Sequence, residues 1–132
     1  MTACHSPEAW TGLYKGSYDL LEDVAVAHPA KMSPGLCFRI LEHLEELGLL
    51  RPGDTILDCM AGTGLTGLVG AVKGYPSILV ELEPKFIDFI RQNKEALERK
   101  LGHLVDMTII QGDSRHLSEL LRERGLVQVV SP

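Results

Sequence analysis

Thr55-Ile56-Leu57-Asp58-Cys59-Met60-Ala61-Gly62-Thr63-Gly64 decides how the rest of the chain is read. Its apolar start predicts a short buried strand that ends at Asp58. Gly62 and Gly64 then let the backbone turn sharply and approach a ligand with no Cβ in the way. The residues through Leu68 and Val69 continue as a small helix, whose first N–H groups point back at whatever the loop holds. A strand, a glycine loop and a helix in that order form the ligand-binding turn at the C-terminal edge of a parallel α/β sheet.

The flanking segments agree. Ser33 is a helix cap, Pro34 suits the first helical position, and Leu36, Ile40, Leu44 and Leu47 mark one helical face that Gly48 closes. Ser77-Ile78-Leu79-Val80-Glu81 predicts a second strand, and Pro84 opens a long helix with Phe86, Ile90, Leu97 and Leu101 on its apolar face. On that helix Arg91, Lys94, Glu95, Glu98 and Arg99 are expected to face water. Met107-Thr108-Ile109-Ile110 predicts a third strand, followed by Gly112-Asp113 and a short helix around Leu117, Leu120 and Leu121. Leu126-Val127-Gln128-Val129-Val130 predicts a fourth strand, leading into Ser131-Pro132. Strands alternating with helices at short intervals predict a parallel, doubly wound sheet with right-handed crossovers. Such a sheet ordinarily has more than four strands, so this one is expected to be incomplete. Residues 1–32, with Trp10, Tyr14 and Tyr18, are expected to form an irregular arm, and residues 33–132 the domain.

The whole chain has 132 residues and a formal net charge of -5, with a hydrophobic fraction of 45%. That size fits one small domain. The acidic balance argues against the chain gripping nucleic acid through a general electrostatic pull. No apolar stretch is long enough to span a bilayer, and no secretory signal opens the sequence, so a cytoplasmic protein is expected. Cys4, Cys37 and Cys59 are too scattered for a disulfide framework, and Cys59 reads as a small buried packing residue. His5, His28, His43, His103 and His116 show no ligand-like pairing, so no metal site is expected.

Three acidic positions fall at strand ends. Asp58 lies beside the glycine loop, where it would attract a cation such as an ammonium group, or would simply cap the turn. Glu81 follows the loop by about 20 residues, the spacing at which a carboxylate accepts bonds from ribose hydroxyls. Glu83 competes for that role. Asp113 could accept an amino proton of adenine, whereas Ser114 reads as a helix cap. Gly62-Thr63-Gly64-Leu65-Thr66-Gly67 also satisfies the dinucleotide pattern, so an NAD-binding oxidoreductase domain is the rival reading. Asp58 counts against it, because a carboxylate there would repel a pyrophosphate.

Together these segments resemble the amino-methylating DNA methyltransferases of the cytosine-N4 and adenine-N6 type. Asp58 to Gly64 resembles that family's Asp-Pro-Phe-x-Gly-Ser-Gly loop, with Cys59-Met60 in place of Pro-Phe. Val80-Glu81-Leu82-Glu83-Pro84 is similar to its Ile-Glu-Leu-Asp-Pro, and Gly112-Asp113-Ser114 to its Gly-Asp-Ala/Ser. His28-Pro29-Ala30-Lys31 resembles its His-Pro-Ala/Thr-Lys, and Ser131-Pro132 the start of its Ser-Pro-Pro-Tyr. Gln128 stands where the family commonly has an acidic residue. The resemblance covers about residues 28–132 and implies an incomplete Rossmann-like class I methyltransferase fold. It also implies S-adenosyl-L-methionine as cofactor, held by Pro29, Ala30, Lys31, Asp58, Met60, Ala61, Gly62, Thr63, Gly64, Glu81, Leu82, Asp113 and Ser114. Ser131 and Pro132 would then be catalytic, accepting the hydrogens of an exocyclic nucleobase amine and leaving its lone pair aimed at the methyl group.

The implied substrate is DNA, as in restriction-modification, bound through segments beyond Pro132. A second chain or self-association would complete the sheet. An RNA or small-molecule methyltransferase and a non-catalytic cofactor-binding module are the alternatives on the same scaffold.

Overall fold

A computed structural model describes Trp10 and residues 32–126. The described elements run in the order α1 (Pro34–Glu46), β1 (Ile56–Asp58), α2 (Leu65–Lys73), β2 (Ser77–Glu81), α3 (Pro84–Leu101), β3 (Met107–Gln111), a 3-10 turn (Ser114–His116) and α4 (Leu117–Glu123). The strands form a three-stranded parallel sheet in the order β1-β2-β3. This is the α/β alternation with a parallel sheet expected from the sequence. Of the expected fourth strand only Leu126 is described, in a bend, and residues 127–130 lie outside the described residues. No helix among the described residues is long and apolar enough to cross a membrane.

Strand register assigns the two faces. Ile56, Ser77 and Met107 are aligned across the sheet, as are Asp58, Leu79 and Ile109. Side chains alternate along a strand, so these residues share one face. Of these, Ile56, Leu79, Met107 and Ile109 pack with Cys37, Phe38 and Leu41 of α1, Leu65, Leu68 and Val69 of α2, and Ile90 and Leu97 of α3 in the larger core. Val80 and Ile110 point the other way and pack on Leu117, Leu120 and Leu121 of α4. Helices therefore cover both faces, which suits parallel strands with few polar side chains.

Local signals explain the helix boundaries. The Ser33 hydroxyl accepts the Leu36 N–H at 3.1 Å, and Pro34 stands in the first turn. Gly48 adopts φ +73° just beyond α1, and a left-handed residue there ends the helix. The buried stripe of α1 is rotated from the expected one. Cys37, Phe38 and Leu41 are buried, while Leu47 is exposed, because the helix meets α2 rather than only the sheet. Trp10 covers another part of α1, with Arg39 5.0 Å from its ring centroid and His43 edge-on at 5.3 Å.

Two further expectations need correction. Cys59 is exposed, because β1 ends one residue earlier and the thiol-bearing turn leaves the sheet. Glu98 does not simply face water: it is half-buried and accepts the Val105 N–H at 2.9 Å, tying α3 to the entry of β3.

Candidate functional site

All three acidic candidates lie at the C-terminal ends of the strands, where the chain leaves the sheet into loops. Asp58 ends β1, Glu81 ends β2, and Asp113 follows β3 by one glycine. In parallel α/β sheets this edge is where ligands bind.

Glu81 joins the loops. One carboxylate oxygen accepts the Gly62 N–H at 2.8 Å, and the other accepts the Glu83 N–H at 2.9 Å. Its backbone carbonyl accepts the Gly112 N–H at 3.0 Å. One residue of β2 thus ties the loops after β1, β2 and β3 together. Glu83, the competitor for the ribose role, instead caps α3 from an extended backbone and makes no side-chain capping bond.

Asp58 organises the first loop. Its Oδ1 accepts the Met60 N–H at 3.0 Å, and its Oδ2 accepts the Thr66 hydroxyl at 2.6 Å. The carboxylate is therefore held between the start of the loop and the first turn of α2. Burial pushes the Cys37 thiol up to about 11, with the Asp58 charge adding to the shift, so this cysteine is neutral beneath the site.

The rest of the loop turns tightly. Ala61 and Thr63 are buried, and the Ala61 N–H donates to the Val80 carbonyl at 3.0 Å. Gly62 and Gly64 have φ of +57° and +88°, conformations that cost a residue with a Cβ about 1–2 kcal/mol. The Gly64 N–H donates back to the Ala61 carbonyl at 2.8 Å, and Asn93 of α3 donates to the Thr63 carbonyl at 3.0 Å. No side chain caps α2. Met60 and Leu82 are 80% and 57% exposed, and they supply apolar surface beside an otherwise acidic edge.

Asp113 is differently placed from its sequence reading. It, rather than Ser114, caps the 3-10 turn, accepting the Arg115 N–H at 2.9 Å. The Arg115 side chain also holds both carboxylate oxygens, through Nε at 3.1 and 3.0 Å and through Nη2 at 2.6 Å. Arg115, first through its guanidinium and then through its backbone N–H, draws the Asp113 carboxyl down to about 2. A carboxylate whose folded value lies below its unfolded one stabilises the fold above the unfolded value. That contribution is lost as pH falls from about 4 through about 2. In Arg115→Ala the Asp113 carboxyl is expected to titrate closer to its ordinary 3.8, with the backbone bond still holding it slightly low. A carbon-detected NMR titration of the carboxyl group measures this, and an unmoved midpoint would mean that the guanidinium is not the cause.

Sequence reasoning missed Thr66, Asn93 and Arg115. Thr66 follows the glycine loop by two residues, and a hydroxyl in the first turn near an acid is a usable signal. The other two depend on tertiary contact or local pairing. Pro29, Ala30, Lys31, Ser131 and Pro132 lie outside the described residues.

No protein-family model matches the chain. It is 30% identical over 96 residues to a tRNA (guanine(37)-N(1))-methyltransferase of Leishmania braziliensis. That similarity covers 62% of this chain, but the chain spans only 13% of the relative's length. Among solved structures it is similar to a Pyrococcus horikoshii protein provisionally assigned as a transferase, at 23% identity and a TM-score of 0.45. That match covers 66% of this chain and 31% of the other, too partial to identify a shared fold.

Proposed function

We propose that the chain binds S-adenosylmethionine across the ends of β1, β2 and β3, as the cofactor-binding part of a methyltransferase that modifies a nucleobase. Glu81 carries this reading. Each of its oxygens is oriented by one backbone N–H and retains acceptor capacity, which suits a pair of ribose hydroxyls. Asp58, held by Met60 and Thr66, supplies negative charge for an ammonium group. The uncapped first turn of α2 suits a carboxylate. A zwitterionic amino-acid end therefore fits the loop. Met60 and Leu82 offer apolar surface to the adenosine part. Asp113 can meet the adenine amino group only when Arg115 yields some of its bonds, since the guanidinium engages both oxygens.

Bound S-adenosylmethionine supplies an electrophilic methyl group on a sulfonium. This chain's residues bind and orient it. The relative's name supports methyl transfer to a base. The dinucleotide alternative fits less well, because Asp58 at the base of the loop opposes a pyrophosphate.

Two targets follow from different observations. Ser131-Pro132 favours an exocyclic amine, and the resemblance that includes it points to DNA. The tRNA methyltransferase relative favours an RNA base, and the comparisons lend DNA modification no support of their own. Calorimetry with S-adenosylmethionine, S-adenosylhomocysteine and NAD is expected to show binding of the first two. Binding of NAD alone would overturn the proposal. Transfer of a tritiated methyl group to tRNA, compared with duplex DNA, separates the two targets.

A further inference from the structure

We propose that Asn93 is a positioning residue for the ligand loop, acting from α3 on the Thr63–Gly64 peptide. It rests on the S-adenosylmethionine reading only for the identity of the ligand.

The buried stripe of α3 is Ile87, Ile90, Asn93 and Leu97. At 2% exposure Asn93 stands among residues chosen for apolar packing. A buried amide is unfavourable unless its polar atoms are bonded, so its presence there calls for a partner. One partner lies outside both α3 and the sheet, in the glycine loop. Nδ2 donates at 3.0 Å to the Thr63 carbonyl, 30 residues earlier in the chain.

That carbonyl belongs to the peptide whose N–H is that of Gly64, and this N–H donates to Ala61 at 2.8 Å. The peptide is therefore held at both ends, and its plane is set. It leads into Gly64 at φ +88°, a residue that alone would tolerate several loop conformations. The same helix supports the loop by packing. A Cβ on Gly64 would lie 3.2 Å from two carbons of the Ile90 side chain. Glu81 holds the preceding residue of the loop, Gly62. Asn93 and Glu81 thus hold adjacent residues, Thr63 and Gly62, from different elements, and the direction in which the loop presents its backbone to a ligand depends on both. A residue of purely structural value would stabilise the whole domain evenly. Asn93 bonds a segment that must be pre-organised before binding.

The test uses the full chain and the substitutions Asn93→Leu and Asn93→Asp. Leucine keeps the volume and removes the donor. In the ligand-free protein, hydrogen exchange at the Gly64 amide is expected to quicken at least about tenfold in Asn93→Leu, the scale of one lost hydrogen bond. The amides of Leu79 and Ile110 are expected to keep their protection. Equal acceleration everywhere, or none at Gly64, would overturn the proposal. Asn93→Asp adds a readout that lost packing does not move. A protonated aspartate donates to the Thr63 carbonyl as the amide does, whereas an ionised one repels it. Burial raises a carboxyl's pKa, so S-adenosylmethionine affinity in Asn93→Asp should fall as pH rises through that midpoint. Wild type and Asn93→Leu should show no such step, and its absence in Asn93→Asp would count against the assignment. If wild type binds no S-adenosylmethionine, the functional reading fails, and the exchange pattern at Gly64 still decides the role of Asn93.

Discussion

Glu81→Ala is expected to weaken S-adenosylmethionine binding by on the order of a hundredfold or more, the largest loss from any single side chain at this edge. Two effects add. The first is the direct loss of an acceptor for the ribose. The second is indirect, because the carboxylate holds the Gly62 N–H at 2.8 Å and the Glu83 N–H at 2.9 Å. Hydrogen bonds to a charged acceptor are worth about 1.5–3 kcal/mol each. Without them, the loops after β1 and β2 lose their shared anchor, and the ligand must order them on binding. Glu81→Gln separates the two effects. Its amide offers one oxygen to two N–H donors, so one loop stays held while an NH2 group faces the other donor. Glutamine should therefore recover only part of the affinity, although it can still bond a hydroxyl. Calorimetry gives the affinities, and thermal melting shows whether each variant remains folded. A folded Glu81→Ala that binds like wild type would remove Glu81 from the site and return the ribose role to Glu83.

The parts legible in the sequence were those whose cause is local. Ser77 to Glu81 is an apolar run between turn residues, and the strand has those bounds. Ser33 and Pro34 start α1 because capping and a fixed φ act within one turn. Asp58 and Glu81 were legible because strand ends and their spacing follow from the topology. What the sequence concealed depends on tertiary packing. The buried side of α1 is chosen by α2, so Cys37, Phe38 and Leu41 go inside and Leu47 does not. Asn93 is an ordinary polar residue in the pattern, and only the approach of α3 to the loop reveals its partner. At Asp113 the competing influence is two residues away. The guanidinium of Arg115 returns to the carboxylate, so the acid caps its own turn rather than standing free.

Gly67→Ala tests the packing beneath the loop, and helix propensity alone predicts the wrong sign for it. Gly67 lies inside α2, and alanine is favoured over glycine in a helix interior by about 1 kcal/mol. The surroundings oppose this. A Cβ at Gly67 would come 2.8 Å from Leu79 Cδ1, 2.9 Å from Ser77 Oγ and 3.1 Å from Met107 Cε. None of the three can swing into water, since Leu79, Ser77 and Met107 are 0%, 2% and 7% exposed. Alanine therefore has to lift α2 from the sheet or distort the core. Overpacking of this kind costs about 1–3 kcal/mol, enough to outweigh the propensity gain. The melting temperature should fall by several degrees. The displacement at Gly67 should also reach the ligand, because α2 begins at Leu65 and its Thr66 hydroxyl holds Asp58 at 2.6 Å. Thr66→Val, which removes that hydroxyl with little change in shape, should weaken binding with a small effect on melting. Gly67→Ala should weaken both together. An alanine variant more stable than wild type would show that α2 does not press on β2 as closely as these distances require.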